Sequence, residues 1–571
     1  MSKKRIMKNY FIFFALVFIT RQAISQSPEL DWVAGFGSAS AFDSGNSVAV
    51  DAAGNVYTVG VFSDTVDFNP GPPVFDIISV SVDDIFVSKF DSTGNFIWAK
   101  SFSASNYQSA NCITVDDSDN IFICGDFSGE MDFDPNAGNF NLVSNNQDAF
   151  ILKLNSNGDF QWARKMGGNL YESVNSIKTD EEGNVYTTGF FTSAAADFDP
   201  GAGVFNLNNA ANGADVFISK LDNNGDFIWA KSIGSSQEDN ALSVFVDPFG
   251  IYITGFFAST ADFDPGPDTF SLTSHGFNDI FILKLNLSGD FAWTKTIGGS
   301  LYDHGFAIAT DPQGNVYSAG LYSDIVDFDP GSAIAYQTAV GGNDIFVAKF
   351  DGSGNFIWAA SMGGESNEYA NSIALDAVGN VYTTGILFST AADFDPGIDS
   401  FTLAYSEGSA FVSILNVSGN FVWANNTGGL GGNGKSITAD ISGNLYVTGS
   451  FSNTSDFDPG PGVSNLVSNG YSDAFILKLK PATVAIGELD IQNNIVQYPN
   501  PFENTFNLKI PEFFMDCDVA FYNTTGMLVY KSRITKLENK IDLSYLPAGI
   551  FRMSISNNNK RFSKTIIKSD K

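Results

Sequence analysis

Asp197-Phe198-Asp199-Pro200-Gly201 recurs almost unchanged seven times, and its reading decides the fold. The other copies start at Asp67 (D-F-N-P-G), Asp132 (D-F-D-P-N), Asp262, Asp327, Asp393 and Asp456, the last four all D-F-D-P-G. Successive starts lie 65, 65, 65, 65, 66 and 63 residues apart. All seven tryptophans, Trp32, Trp98, Trp162, Trp229, Trp293, Trp358 and Trp423, keep the same beat. A fixed period of this kind marks a repeat architecture.

Outward from Asp197 the other parts of the period come into view. Upstream, a strand around Ser176–Thr179 runs into Asp180-Glu181-Glu182-Gly183-Asn184 and on into Val185–Phe190. Downstream, Asp215–Leu221 runs through Asp222-Asn223-Asn224-Gly225-Asp226 into Phe227–Lys231. Both turns have the form of a three-residue hairpin loop, a type I turn followed by a left-handed residue that is normally Gly. Gly stands there in six of seven copies of the first turn, with Asp119 in the other, and in all six copies of the second. Two hairpins per period make four antiparallel strands, which is one propeller blade. The expected fold is all-β: a seven-bladed β-propeller of four-stranded blades over residues 26–480. The last period ends after Ala474–Leu479 with no Trp strand to follow, while Leu30–Ala34 is a Trp strand without a period. The N-terminal strand is therefore expected to complete the seventh blade and close the ring, removing open edges. That expectation requires 30–36 to pair with 473–480.

Gly (55) and Phe (54) are abundant and only 16% of residues are charged, as suits strands broken by turns. The formal charge is −33, but residues 26–494 carry 14 Lys/Arg against 56 Asp/Glu, a net of −42. Such a surface repels nucleic acid, which is excluded as a partner. It suits either a solvated exterior or a cation-binding surface. Residues 1–25 read as a secretory signal: Lys3, Lys4, Arg5 and Lys8, then the apolar run Tyr10–Ile19, then Ala23-Ile24-Ser25. No later stretch is long and apolar enough to span a bilayer. Pro481–Asn494 reads as a linker, after which the composition turns basic.

The pattern D-x-x-G-N-x-Y-x-T-G, with D-x-F-x-x-K-L-D-x-x-G-x-F-x-W-A-K, resembles the SBBP (seven-bladed β-propeller) repeats of bacterial secreted proteins over about 450 residues. Residues 495–571 carry Tyr498-Pro499-Asn500-Pro501, Leu543-Ser544-Tyr545-Leu546-Pro547-Ala548-Gly549-Ile550-Phe551 and Lys564-Thr565-Ile566-Ile567-Lys568. These are similar to the type A C-terminal sorting domain of type IX secretion, a small β-sandwich. Phe551-Arg552 departs from that family's usual Tyr and apolar pair. The resemblance implies the type IX machinery as a partner, export across the outer membrane, removal of the domain, and attachment to surface polysaccharide or release.

Two readings stand for the D-F-D-P-G loops. Paired carboxylates at Asp132 and Asp134, Asp197 and Asp199, Asp262 and Asp264, Asp327 and Asp329, Asp393 and Asp395, and Asp456 and Asp458 are hard oxygen ligands of the kind calcium takes. Alternatively, Asp caps a Pro-Gly turn while Phe plugs the space between blades. Seven copies favour the corner, and Asn69 and Asn136 replace motif residues in a way a turn tolerates more readily than a metal cage. Asp84, Asp148, Asp215, Asp279, Asp344 and Asp473 each precede a Lys by five residues. On a strand such positions face opposite sides, so the Asp is expected to fix a loop and the Lys to be solvated or paired elsewhere. Blade six lacks the pair, having Ser409 and Ile414. His275 and His304 lack the spacing of a zinc site, and no phosphate loop, G-x-S-x-G or dinucleotide fingerprint is present. Cys112 and Cys124 flank the turn Asp116–Asn120 and fall opposite each other, so they are either a stapling disulfide or two thiols; Cys517 is left over.

The expected product is a monomeric, secreted or surface-held, non-enzymatic binding module for a glycan, protein or matrix ligand, with no certain cofactor. Its variable loops include Ala104–Asn111, Gly168–Ser173 and Gly363–Tyr369. The alternatives are a hydrolase or lyase with acids at the channel mouth, which a raised-pKa Asp/Glu pair in one blade only would favour, and a structural coat protein.

Overall fold

The computed structural model describes residues 27–39, 41–209, 213–404, 408–427, 431–481, 496–498, 502–510, 517–523, 527–557 and 560–569. The signal-like segment 1–25 and nearly all of the linker-like segment lie outside them. The chain divides into two compact units, residues 1–482 and 483–571.

The larger unit is all-β and propeller-like, with seven four-stranded antiparallel sheets among the described residues. Six follow the chain directly. In the third, Glu172–Thr179, Val185–Phe191, Asp215–Leu221 and Phe227–Ile233 pair in sequence order. The turn at Asp180 forms because its Oδ1 accepts the N–H groups of Glu182 (3.1 Å) and Asn184 (2.9 Å), while Gly183 takes φ +77°. Asp119, the one non-glycine at this position, takes φ +60°. The fourth sheet departs from the expected turn. Asp247 pairs directly with Gly250, so Pro248 and Phe249 alone make a two-residue loop. That copy, D-P-F-G, lacks the Asn that follows the glycine elsewhere, and with it one residue of the turn.

The seventh sheet has the order Asn433–Ala439, Leu445–Phe451, Asp473–Lys480, Glu29–Phe36. Its last strand is the N-terminal one, running antiparallel from Glu29 opposite Lys480 to Phe36 opposite Ala474. Asp31 pairs with Lys478 at 3.2 Å and Lys480 at 2.5 Å.

Adjacent sheets share apolar layers. Phe122, Ile151 and Trp162 of the second meet Ile177, Val185 and Phe217 of the third in one buried cluster. The corner phenylalanines Phe68, Phe133, Phe198, Phe263, Phe328, Phe394 and Phe457 are all 0% exposed. Phe198 lies 4.7 Å from Phe217, ring centre to ring centre. Burying a Phe contributes about 1.5–3 kcal/mol, which makes each corner a packing device.

In the smaller unit, Val496–Tyr498, Thr505–Lys509 and Glu538–Asp542 form one sheet, and Leu528–Ile534, Cys517–Tyr522, Gly549–Asn557 and Lys560–Lys568 another. Phe506, Ile541, Val519, Phe521 and Met553 place both sheets on one core. Lys568 Nζ donates to the carbonyls of Ser544 (3.1 Å) and Leu546, tying the L-S-Y-L-P-A-G element to the closing strand.

Candidate functional site

Alternation of strand direction puts the D-F-D-P-G corners at the same end of the sheets as the loops that enter each first strand. In every corner the leading Asp uses one oxygen, Oδ1, for two backbone N–H groups. Asp197 Oδ1 takes those of Asp199 (3.1 Å) and Phe205 (2.8 Å). Asp67, Asp132, Asp262, Asp327, Asp393 and Asp456 do the same. The second carboxylate caps the Pro-Gly turn: Asp199, Asp264, Asp329, Asp395 and Asp458 accept from Gly201, Gly266, Gly331, Gly397 and Gly460, and Asp134 from Asn136. Asn69 does so as an amide, its Oδ1 accepting from Gly71 at 3.1 Å. Among the described residues no three His, Cys, Asp or Glu side chains are grouped as metal ligands.

A second set of acids was hidden from the sequence reading. Asp43 binds the N–H groups of Ser38 (2.6 Å) and Ser63 (2.8 Å); Glu172 those of Gly168 (2.7 Å) and Ser193 (3.0 Å); Asp303 those of Gly299 (2.7 Å) and Ser323 (2.9 Å). Asp239 and Glu368 make the same two-loop clamp, and Gln108 stands in their place in the second sheet. The variable loops Ala104–Asn111, Gly168–Ser173 and Gly363–Tyr369 thus each contain a buried clamp. Burial raises the pKa of Asp239 to about 7 and of Asp303 to about 6, and pushes Asp43 and Glu172 upward. Asp344 and Asp473, which hold the loop before each third strand, are raised to about 6 by the same cause. Raised acids therefore occur in several sheets, these bound to loop N–H groups, and Asp126, also raised by burial, to the side chains of Ser173, Asn111 and Gln147.

The lysines five residues after those strand-opening acids are not solvated. Lys89, Lys153, Lys349 and Lys478 are buried. Lys89 Nζ and Trp98 Nε1 both donate to the Ser156 carbonyl of the next sheet's turn, at 3.0 and 3.4 Å. Lys153 with Trp162 on Asn223, and Lys284 with Trp293 on Gly352, repeat the arrangement. Lys478 and Trp32 of the seventh sheet reach Ser92 of the first, at 2.7 and 3.3 Å. In the sixth sheet Ile414 replaces the lysine for a physical reason. The neighbouring seventh sheet joins its last two strands from opposite chain ends, so no turn carbonyl faces Ile414. It packs instead with Trp423, Leu30 and Val33.

The first strands build a cavity. Each carries one β-bulge, at Asn46, Asn111, Asn175, Leu242, Phe306, Asn371 and Lys435. A bulge leaves its residue outside the ladder and re-aims the side chain. Asn46, Asn111, Asn175 and Asn371 use it to reach the next sheet's carbonyls at Ala110, Val174, Ala241 and Gly434, at 2.9–3.0 Å. The following row is Ser47, Cys112, Ser176, Ser243, Ala307, Ser372 and Ser436, and its hydroxyls accept backbone N–H groups from the next first strand. Ile113 donates to Ser47, Val244 to Ser176, Ile308 to Ser243, Ile437 to Ser372, and Val48 to Ser436, which links the first sheet to the seventh. Residues of all seven first strands line a cavity of about 280 Å³.

Exposed aromatics collect at the corner end of the sheets. Phe42, Tyr107, Tyr171 and Tyr302, each directly before a clamp residue, are at least half exposed. Phe42 stacks on Tyr471, and Tyr302 on Phe277, both at 5.0 Å. His304 is half-buried, stacked on Phe256, and desolvation lowers its pKa to about 4, so the ring is neutral at physiological pH. His275 donates its N–H to Asp279, with its ring nitrogen 3.0 Å from the same carboxylate. Cys112 lies opposite Cys124 in the ladder, as the turn register predicts; both side chains are present as thiols. A hydrogen bond from Cys124, helped by Lys178, draws the Cys112 thiol below its ordinary range.

Comparison with known proteins addresses the two units differently. An uncharacterized WD repeat-containing protein of Acanthamoeba polyphaga mimivirus is 23% identical over 480 residues, 71% of this chain and 34% of that protein. The chain thus spans about a third of that relative's length. Sqt1 from Chaetomium thermophilum shares 11% identity across 80% of this chain and 100% of its own, with a TM-score of 0.36. PorZ, titled an essential bacterial surface component of the type-IX secretion system of Porphyromonas gingivalis, shares 11% identity across 94% of this chain and 100% of its own, with a TM-score of 0.14. Likenesses this distant carry no argument about function. No described helix is long and apolar enough to cross a membrane. Residues 496–569 match the family described as the secretion system C-terminal sorting domain. They are a type IX secretion sorting domain, and the protein is exported to the cell surface or the extracellular space.

Proposed function

We propose that the exported protein is a non-enzymatic binding module, a closed seven-bladed propeller of the SBBP kind that presents its corner end to a glycan. One observation carries the reading: Phe42, Tyr107, Tyr171 and Tyr302 recur at one repeat position on that end, each at least half exposed, Phe42 and Tyr302 stacked on a neighbouring ring. Exposed aromatic clusters on a folded protein mark interaction surfaces, and a flat ring offers its face to the C–H side of a sugar. Closure is supported by the pairing of Glu29–Phe36 with Asp473–Lys480 and by the bonds from the seventh sheet to the first. The non-enzymatic reading draws support from the raised-pKa acids, which recur from sheet to sheet and are engaged by loop N–H groups or, at Asp126, by neutral side chains. The corner carboxylates are assigned to architecture, with calcium kept as an arm of the test. The type IX machinery handles the smaller unit, and the propeller acts as a monomer.

The test is a glycan and surface-polysaccharide array probed with the purified protein, its Tyr302→Ala and its Phe42→Ala variants, with calcium and with chelator. Binding that falls in both variants is expected, whether or not chelator is present. Binding of wild type and both variants alike would overturn the aromatic assignment. Absence of binding to any glycan would overturn the glycan reading in favour of a protein ligand or a structural coat.

A further inference from the structure

The cavity enclosed by the first strands holds a charge that the rest of the propeller does not explain. Of the 14 basic residues between 26 and 494, Lys89, Lys153, Lys284 and Lys478 bridge sheets, and Lys165 and Lys480 pair with carboxylates. Lys178 and Lys435 do neither. Both stand on first strands, Lys178 in the third sheet and Lys435 at the bulge of the seventh. Lys178 lines the cavity, and Lys435 directly precedes the lining residue Ser436. Among the described residues neither ammonium has an ion pair or hydrogen bond; Lys178 lies over the Phe245 ring at 5.9 Å. The lining contains no carboxylate.

The two lysines also break their rows. At the position of Lys178 the other first strands carry Ala49, Thr114, Phe245, Ala309, Ala374 and Thr438. At the position of Lys435, asparagines reach across to a carbonyl, a bond that Lys435 does not make. The rest of the wall supplies neutral donors. Ser176, Ser243, Ser372 and Ser436 use their oxygens as acceptors for backbone N–H groups, which leaves each hydroxyl hydrogen to point elsewhere. A cation inside a low-dielectric wall interacts more strongly than one in water. An acidic exterior of net −42 repels anions at long range, so two unpaired ammonium groups inside it form a local reversal of sign.

We infer that this cavity is a receptor site for one small oxyanion (a carboxylate, phosphate or sulfate group), bound by Lys178, with Lys435 as second cation and the serine hydroxyls as neutral donors. Lys435 is exposed by its accessible surface, yet the protein atoms around it lower its pKa by desolvation; a bound anion would reverse that. Size restricts the ligand. At about 30 Å³ per water, a space of about 280 Å³ holds roughly nine waters, enough for an inorganic oxyanion or a single sugar acid and too little for a chain. The inference rests on the propeller reading for the shape of the cavity and is independent of the aromatic end.

The test is calorimetric titration of the full purified protein at low salt and neutral pH with phosphate, sulfate and glucuronate, using glucose as the neutral control. A parallel titration uses Cys112→Ser, which places at 112 the residue that five other sheets carry and removes a thiolate that could compete for Lys178. Oxyanion binding is expected, at least roughly tenfold weaker in Lys178→Met, weakened in Lys435→Met, and retained in Lys178→Arg. Tighter binding of glucuronate would identify a sugar acid as the source, and tighter binding of phosphate or sulfate a free anion or its ester. Equal affinity in wild type and both Met variants, or no oxyanion binding at all, would overturn the inference. If Lys178→Met fails to fold, Lys435→Met against wild type carries the decision. Tyr302→Ala should leave the titration unchanged, so loss of array binding and loss of anion binding are separate failures.

Discussion

Replacing Asp197 separates the two readings of the corners. Both hydrogen bonds of Asp197 fall on the same oxygen, Oδ1, which receives Asp199 N at 3.1 Å and Phe205 N at 2.8 Å. Asn offers an equivalent oxygen without the charge; Ala offers none. Hydrogen bonds to a charged group contribute about 1.5–3 kcal/mol each. The corner is only part-buried, so water replaces some of that, and the expected cost of Asp197→Ala is about 2–4 kcal/mol. This cost is local, because one corner opens without its four-stranded sheet coming apart. Hydrogen exchange over residues 198–206 is therefore the suitable assay, and exchange limited by local opening should accelerate roughly 30- to 800-fold in the Ala variant. In Asp197→Asn the change should stay below about tenfold. At the other position of the motif the protein already makes this exchange, since Asn69 caps Gly71 as Asp199 caps Gly201. If Asn exchanged as fast as Ala, charge and not acceptor geometry would hold the corner. Calcium-dependent protection in wild type that the Asn variant lacked would then make the corner a metal cage.

Three further outcomes are expected. Burial raises the folded-state pKa of Asp239 to about 7 and of Asp303, Asp344 and Asp473 to about 6, so the folded protein binds more protons than the unfolded chain between about pH 4 and 7. Stability should rise as pH falls from 8 to 5, and a melting temperature higher at pH 8 than at pH 5 would contradict it. Ile414→Lys should destabilise by about 3–5 kcal/mol, the cost of a buried charge without a partner, while Lys153→Met should cost about 1–3 kcal/mol by losing its bond to Asn223. Thermal unfolding that ranked Ile414→Lys at or above wild type would refute the account of the seam. Thiol counting on exported, unreduced, denatured protein should find two reactive thiols in residues 26–480, the free Cys112 and Cys124; none would mean that the two are bridged.

The period of the corner motif, the paired hairpins and the cross-strand position of Cys112 and Cys124 were legible because local turn chemistry sets them. Asp180 and Gly183 lie three residues apart and need nothing distant. For the lysines the second alternative, pairing elsewhere, holds, but the partner was not legible because it lies a full period away: Lys89 and Ser156 are 67 residues apart. The clamps escaped because one role is filled by Asp43, Gln108, Glu172, Asp239, Asp303 and Glu368, whose lengths adjust to loops of different shape. Ile414 looked like decay until the missing turn beside it was visible. Lys178 and Lys435 did carry a signal, each being the one charged residue in its aligned row, but bulge positions must be known before the rows can be drawn.

The pairing of Glu29–Phe36 with Asp473–Lys480 has a kinetic consequence. Among the described strands Glu29–Phe36 is synthesised first, and it finds its ladder partner 438 to 451 residues later. Contacts of such separation slow folding, because the loop they close must be ordered first. Until then Glu29–Phe36 is a bare edge, and Asp473–Lys480 has a neighbour on one side alone, both open to pairing with other chains. Asp31 places a charge within that edge and finds Lys478 and Lys480 only in the correct register. One carboxylate thus discourages early association and selects the right partner when it arrives.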